Sequence, residues 1–220
     1  QAKELRHGYY ACVSYIDAQV GRLMETLEAS GLMGNTVICL WGDHGFHLGE
    51  QGLWTKANNY EWSTRVPLLI ADPGQEAGKT EALVELVDVY PTLLDLCELP
   101  IGSQLEGQSL VPLLKNPNQP WAESAMSQYP RAKKGNRHIR HGDFMGYTIR
   151  TRDYRYVEWR NSDTGNAVAL ELYDHLKDPD ENTNVAQNSD YHSILKRHEA
   201  LLRLSLEKSR SASRNPSLLQ

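Results

Sequence analysis

The chain has 220 residues, 40% of them apolar, a formal net charge of −5 and three cysteines, Cys12, Cys39 and Cys97. That length allows one large domain or two small ones, and the mild acidity gives no electrostatic case for nucleic acid, nor does any basic amphipathic stretch argue for a membrane surface. No apolar run reaches the roughly 18 residues of a transmembrane helix, and the widely spaced cysteines make neither a disulfide framework nor a zinc-ribbon pattern.

The first predicted element is a helix over residues 3–29. Tyr9, Cys12 or Val13, Ile16, Val20, Leu23 and Leu27 recur at spacings of three and four, which makes one apolar helical face. Gly31, Gly34 and Asn35 stop it. The chain begins at Gln1, and a helix with no strand before it is a poor opening for an α/β domain. The expectation is therefore the C-terminal part of something longer. "TVICLW" (36–41) is a continuous β-branched and apolar run, as expected of a parallel strand covered on both faces. "RVPLLIA" (65–71) reads as the next strand, "DPG" as its turn, and residues 82–87 as another short strand. Asp88 is placed to cap a helix carrying Tyr90, Leu93, Leu94 and Cys97, with Pro91 tolerated in its first turn. This alternation predicts an α/β sheet layer in residues 1–116.

From "PNQPW" (117–121) the character changes. "GYTIRTRDYRYVEWR" (146–160) has the alternation and turn of a hairpin, "ALELYD" (169–174) reads as a third strand, and "DPDENTN" (178–184) as a polar loop. Tyr191, Ile194, Leu195, Leu201 and Leu202 mark an amphipathic helix over 189–206. Residues 117–207 thus read as an α+β subdomain of small antiparallel sheet and helix, and 208–220 as a flexible tail.

The chemistry concentrates in "WGDHGFHLGEQGLWTK" (41–56), at the end of the first strand. In open α/β sheets, ligands gather at the carboxyl ends of strands. Asp43 beside His44 can hold a divalent cation, with Gly42 and Gly45 letting the backbone approach. The plainer alternative makes Asp43 a helix cap and His44 a packed corner. Lys56 is a point cation suited to a tetrahedral oxyanion. His47 either donates to the same anion, or protonates a leaving oxygen, or is a packing histidine. Glu50 reads as structural, because a third carboxylate would repel an anionic substrate.

Together with "STRVPLLI" (63–70), this stretch resembles the C-terminal metal-and-sulfate segment of type I sulfatases, members of the alkaline-phosphatase superfamily. The Asp-His pair, where many members have Asp-Asn, is similar to the iduronate-2-sulfatase branch. "YYACVSYIDAQVGRL" (9–23), "VELVDVYPTLLDL" (84–96), "SQYPR" (127–131), "MGYTIRTRDYRYVEW" (145–159) and "ELYDHLKDPDENTN" (171–184) resemble that branch in the same order. The resemblance implies an alkaline-phosphatase-like α/β fold and the hydrolysis of sulfate esters on a sulfated sugar or glycosaminoglycan. It assigns Asp43 and His44 to calcium and Lys56, with His47, to the sulfate. It also implies a formylglycine nucleophile made from the Cys of a C-x-P-x-R motif. None of Cys12, Cys39 or Cys97 stands in such a motif, and the family's early Asp-Asp ligands are missing. The chain alone is therefore expected to be inactive and to need an N-terminal portion of the same sulfatase as its partner. The resemblance further implies a secreted, periplasmic or lysosomal protein.

Arg131, Lys133, Lys134, Arg137, His138, Arg140 and His141 form a cationic run in an acidic chain. It is either a solvated basic loop or a site that steers an anionic sugar, with Arg131, Lys134 and His138 as the substrate-binding choices. Trp121 and Trp159 either stack on sugars or belong to the subdomain core, and Arg65 is assigned to a structural ion pair. Two other functions stay open on this fold. One is a phosphodiesterase or phosphonate hydrolase of the same superfamily, and the other a non-catalytic sugar-binding or interaction protein.

Overall fold

A computed structural model describes residues 1–132 and 143–213. The protein is mixed α/β, with helices set around two antiparallel sheets. Helix α1, Ala2–Ala29, matches the predicted helix and ends in a left-handed Gly31 (φ 68°). Gly31 N–H donates to Glu28 O at 2.9 Å and Leu32 N–H to Leu27 O at 3.1 Å, so the glycine turn satisfies the last helical carbonyls.

The first sheet pairs β1, Ile38–Trp41, with β2, Leu68–Ala71, in register from Ile38↔Ala71 to Trp41↔Leu68. The predicted parallel pairing is thus corrected: the two strands run antiparallel. The reason lies in the connection, where Gly42 N–H donates to Pro67 O at 3.1 Å and Gly45 N–H to Ser63 O at 2.9 Å. These bonds fold the chain back beside itself, and an antiparallel partner needs no crossover helix. Between the strands lies the short helix α2, Glu61–Thr64.

The strand expected at 82–87 is also absent. Residues Leu86–Asp88 form a tight 3₁₀ turn, in which Glu85 and Asp88 make a reciprocal capping box. Side chains that bond nearby backbone groups compete with a sheet ladder. Asp88 accepts from Glu85 N–H and Gln108 N–H, both at 2.9 Å, and Glu85 accepts from Met126 N–H at 2.6 Å. Helix α3, Val89–Leu96, follows where expected, but the Asp88 carboxylate, engaged by Glu85 and Gln108, does not cap it and Cys97 falls at its C-cap. Helix α4, Val111–Lys115, comes next.

The second sheet has four strands in the order β3-β4-β5-β6: Ala125–Arg131, Phe144–Arg150, Tyr154–Asn161 and Ala167–Asp174. The sequence reading has only the last three. Strand β3 carries Pro130, which lacks an N–H and is at home on a sheet edge. One row of side chains crosses the whole sheet, Met126↔Ile149↔Tyr156↔Leu172. Ile149, Tyr156 and Leu172 are fully buried there with Leu202 of helix α5, His192–Ser213. This is the core, built from cross-strand neighbours on one face. Helix α5 runs to Ser213, into the stretch read as tail.

The opposite face of this sheet positions the functional loop. Gly146, Arg150, Arg155, Trp159, Glu171 and Tyr173 share it by register. Asn59 Nδ2 donates to Gly146 O at 3.3 Å, and the Tyr60 ring meets Tyr173 edge-on at 5.9 Å. A Cβ on Gly146 would lie 2.5 Å from Asn59 Nδ2 and 2.7 Å from the Trp159 ring, so only glycine admits this approach.

Candidate functional site

The loop after β1 brings Asp43, His44 and Lys56 into one exposed cluster. Asp43 is open to solvent, and its Oδ2 lies 3.5 Å from His44 Nε2. His44 Nδ1–H donates to Gly45 O at 2.8 Å, which fixes the ring and leaves Nε2 as the lone-pair nitrogen. Lys56 Nζ donates to that Nε2. A carboxylate oxygen and an imidazole nitrogen thus face the same space, with an ammonium beside them.

These donors fit a divalent cation as part of a larger set. Calcium takes six to eight ligands, mostly oxygen, and Asp43 with His44 supplies two groups once Lys56 releases the Nε2 lone pair that it holds here. Among the described residues, a second group of three possible metal ligands, Glu61, His175 and Glu181, has ligand atoms within 4.8 Å of one another. It does not fit a cation. Arg150 Nε donates to Glu61 at 3.0 Å, Arg155 also pairs with Glu61, and Arg155 Nε donates to Glu181 at 2.5 Å. Two guanidinium groups already balance the two carboxylates. Burial alone would raise both glutamates, but Arg155 and Arg150 hold Glu61 below the ordinary range. His175 and Arg155, with the Glu61 N–H, do the same for Glu181.

His47 sits beneath the cluster, its backbone N–H donating to Thr55 O, next to Lys56, at 2.8 Å. It is 0% exposed. Its Nδ1–H donates to Glu50 O at 3.3 Å, its Nε2 accepts from Asn58 Nδ2 at 3.0 Å, and its ring lies edge-on to Tyr60. Both ring nitrogens are engaged inside the loop, the arrangement that the packing reading expects. Glu50 is structural as expected, accepting Leu48 N–H at 2.5 Å. Helix α1 holds the loop from its other side, through Arg6 Nε to Leu48 O at 2.8 Å and a Tyr9–Phe46 ring stack at 5.6 Å.

Arg131 lies with its guanidinium 4.7 Å from the Trp159 ring centre, a cation–π contact on the sheet face that carries Asn59. Trp159 is buried on the sheet face opposite the core cluster and donates Nε1–H to Glu171 at 2.8 Å, a packing role. Arg65 pairs with Glu61 at 3.7 Å, the structural ion pair expected of it. Lys134 and His138, with Lys133, Arg137, Arg140 and His141, lie outside the described residues. Sequence reasoning missed the ion network of Glu61, Arg150, Arg155, His175 and Glu181. Its one visible signal is a charged residue, Arg155, between two aromatic ones in an alternating strand.

Comparison with known proteins gives a consistent picture. The sulfatase family's sequence profile matches residues 1–99. Mouse iduronate 2-sulfatase is 32% identical over 88% of this chain and 46% of its own length. A solved protein in complex with its substrate D-glucosamine-2-N,6-O-disulfate superposes with a TM-score of 0.78 and 30% identity, over 94% of this chain and 41% of that one. Phosphonate monoester hydrolase of Agrobacterium radiobacter gives 0.75 and 29%, over 89% and 40%. The chain spans less than half the length of the relatives it matches.

Proposed function

Because the chain belongs to the sulfatase family, we propose that it supplies the Asp43–His44–Lys56 part of a sulfate-ester hydrolase site. The observation that carries this reading is the convergence of Asp43 Oδ2 and Lys56 Nζ on His44 Nε2. Asp43 and His44 would hold calcium, which when bound polarises a sulfate oxygen. Gly45 O keeps the His44 ring turned toward that position. Lys56 offers a point charge to an anionic oxygen whose charge grows as the ester breaks. Arg131 stands on the substrate side, with Lys134 and His138 in the same cationic run.

The rest of the reading concerns the parent protein. Its nucleophile is a formylglycine on an N-terminal portion, since none of the three cysteines here stands in C-x-P-x-R. That portion is also the natural cover for the apolar face of α1, where Val13, Ile16 and Leu23 are exposed. Residues 1–116 belong to the main α/β domain and 117–207 to the smaller subdomain. The substrate is a sulfated carbohydrate or glycosaminoglycan, supported by the sulfated sugar of the structural relative. The setting is lysosomal, periplasmic or extracellular. No helix among the described residues is long and apolar enough to cross a membrane.

A second reading has its own support. The likeness to a phosphonate monoester hydrolase keeps the fold and changes the ester. The test is hydrolysis of an aryl sulfate and an aryl phosphonate by the parent protein, with Asp43→Ala and Lys56→Ala. Sulfate turnover falling about 10²–10³-fold in each variant, at unchanged Tm, is the expected result. Phosphonate turnover without sulfate turnover would select the second reading, and turnover by the 220-residue chain alone would overturn the need for a partner.

A further inference from the structure

The ion network on the sheet does more than hold the subdomain together. Glu181 is 2% exposed and takes a φ of 56°, a left-handed backbone rare for a residue with a side chain. Strain of that kind persists only where the surroundings over-determine it. Its Oε1 meets Arg155 Nε at 2.5 Å and His175 Nε2 at 2.7 Å. Its Oε2 accepts the Glu61 N–H at 2.7 Å, the first amide of α2 and one that no intrahelical bond satisfies.

From Glu61 the contacts lead directly to the candidate site. In α2, Ser63 O accepts the Gly45 N–H at 2.9 Å. The fit is close, since a Cβ on Gly45 would lie 2.0 Å from Trp62 O. Gly45 O then accepts Nδ1–H of His44 at 2.8 Å. Next to Glu181, Asp180 O accepts from the Gln51 side chain, so two adjacent residues grip the loop at two places.

We infer that Glu181 is a positioning residue for His44, acting through the first turn of α2 and the backbone of Gly45. It rests on the reading of Asp43 and His44 as a metal pair, and it names what fixes the direction of the imidazole. Removing the Glu181 carboxylate frees the α2 amide, loosens the Gly45–Ser63 bond and releases the His44 ring from its single tautomer. The Arg155–Glu61 pair, by contrast, stays connected.

Nitrogen-15 NMR of the 220-residue chain tests this in Glu181→Gln. The His44 ring is expected to move from the Nδ1–H form toward a mixture, and Gly45 amide exchange to speed up about tenfold. Leu202→Ala weakens the core without touching the network, and it is expected to leave both signals in place. An unchanged His44 in folded Glu181→Gln overturns the inference, as does an equal change in Leu202→Ala. Should Glu181→Gln fail to fold, wild-type exchange decides: Glu61 and Gly45 amides are expected to open together, and Gly45 opening first overturns it. In the parent enzyme the variant is expected to need about tenfold more calcium at an unchanged saturating rate. An unchanged calcium requirement counts against the inference. Loss of all sulfatase activity in the wild type would instead count against the function, because the NMR signals do not depend on turnover.

Discussion

The two halves of the molecule treat their apolar side chains in opposite ways. In the four-stranded sheet, Ile149, Tyr156 and Leu172 are sealed under Leu202 with no exposure. Helix α1 has 28 residues and buries none of them, and its Tyr15 and Leu23 are 65% and 70% exposed. Fully burying one such side chain is worth about 1.5–3 kcal/mol, so the sheet region carries the chain's own stability and α1 adds little. The loop with Asp43, His44 and Lys56 touches both regions, but α1 gives it the hydrogen bond of Arg6 to Leu48 O, and the sheet face those to Asn59 and Glu61. The site therefore draws most of its rigidity from the half that completes itself.

Substitutions can break or sharpen that contrast. The largest effect is expected from Arg155→Ala, which leaves the buried Glu181 with only His175 and the half-buried Glu61 with Arg150 and the exposed Arg65. Breaking a buried pair this way costs about 3–5 kcal/mol, readable by urea denaturation. A loss under ~1 kcal/mol would show that water reaches the network and that the sheet face is not a rigid anchor. Next, Ile149→Ala removes the centre of the cross-strand row and is expected to cost about 2–5 kcal/mol in the same assay.

Acid comes third. Glu61 and Glu181 both sit below the ordinary glutamate value of about 4.3. Their folded state binds protons less readily than the unfolded chain, so their contribution is complete above that value. It is lost as pH falls through the lower folded values. Near-UV circular dichroism is expected to hold down to about pH 4.3 and decline below it, more gently in Glu61→Gln. A decline that begins well above that pH would assign acid unfolding to other groups. The smallest effect belongs to Ile16→Ala on α1, expected within about 0.5 kcal/mol in this chain. A loss near that of Ile149→Ala would erase the contrast.

What the sequence made legible follows from distance along the chain. Asp43, His44 and Lys56 stand in one loop, so their grouping could be read without coordinates. The α1 pattern was legible because helical periodicity is local. The partners of Arg155 lie in two distant segments, and no local pattern joins Glu61 to Glu181. The role of His47 was ambiguous for a related reason. Its burial depends on Asn58 and Tyr60 folding back over it. The run at 36–41 announces a strand but says nothing about the direction of its neighbour, which the backbone bonds of Gly42 and Gly45 decide. At 82–87 the apolar residues suggested a strand, and two acidic side chains bonding their own backbone turned it into a 3₁₀ corner.

Strand β3 is one of the two rims of the four-stranded sheet, and Pro130 removes one donor from it. A foreign strand arriving there meets an interrupted template, because a ladder cannot continue past a residue without an N–H. That rim is thus guarded against polymerising edge to edge, and at the β6 rim Asn184 and Val185 already occupy Leu170 O, Leu172 N–H and Leu172 O. Sticking between copies of this chain in dilute solution is expected to come from the bare helix, and Pro130→Val is the change that would move the hazard to the rim.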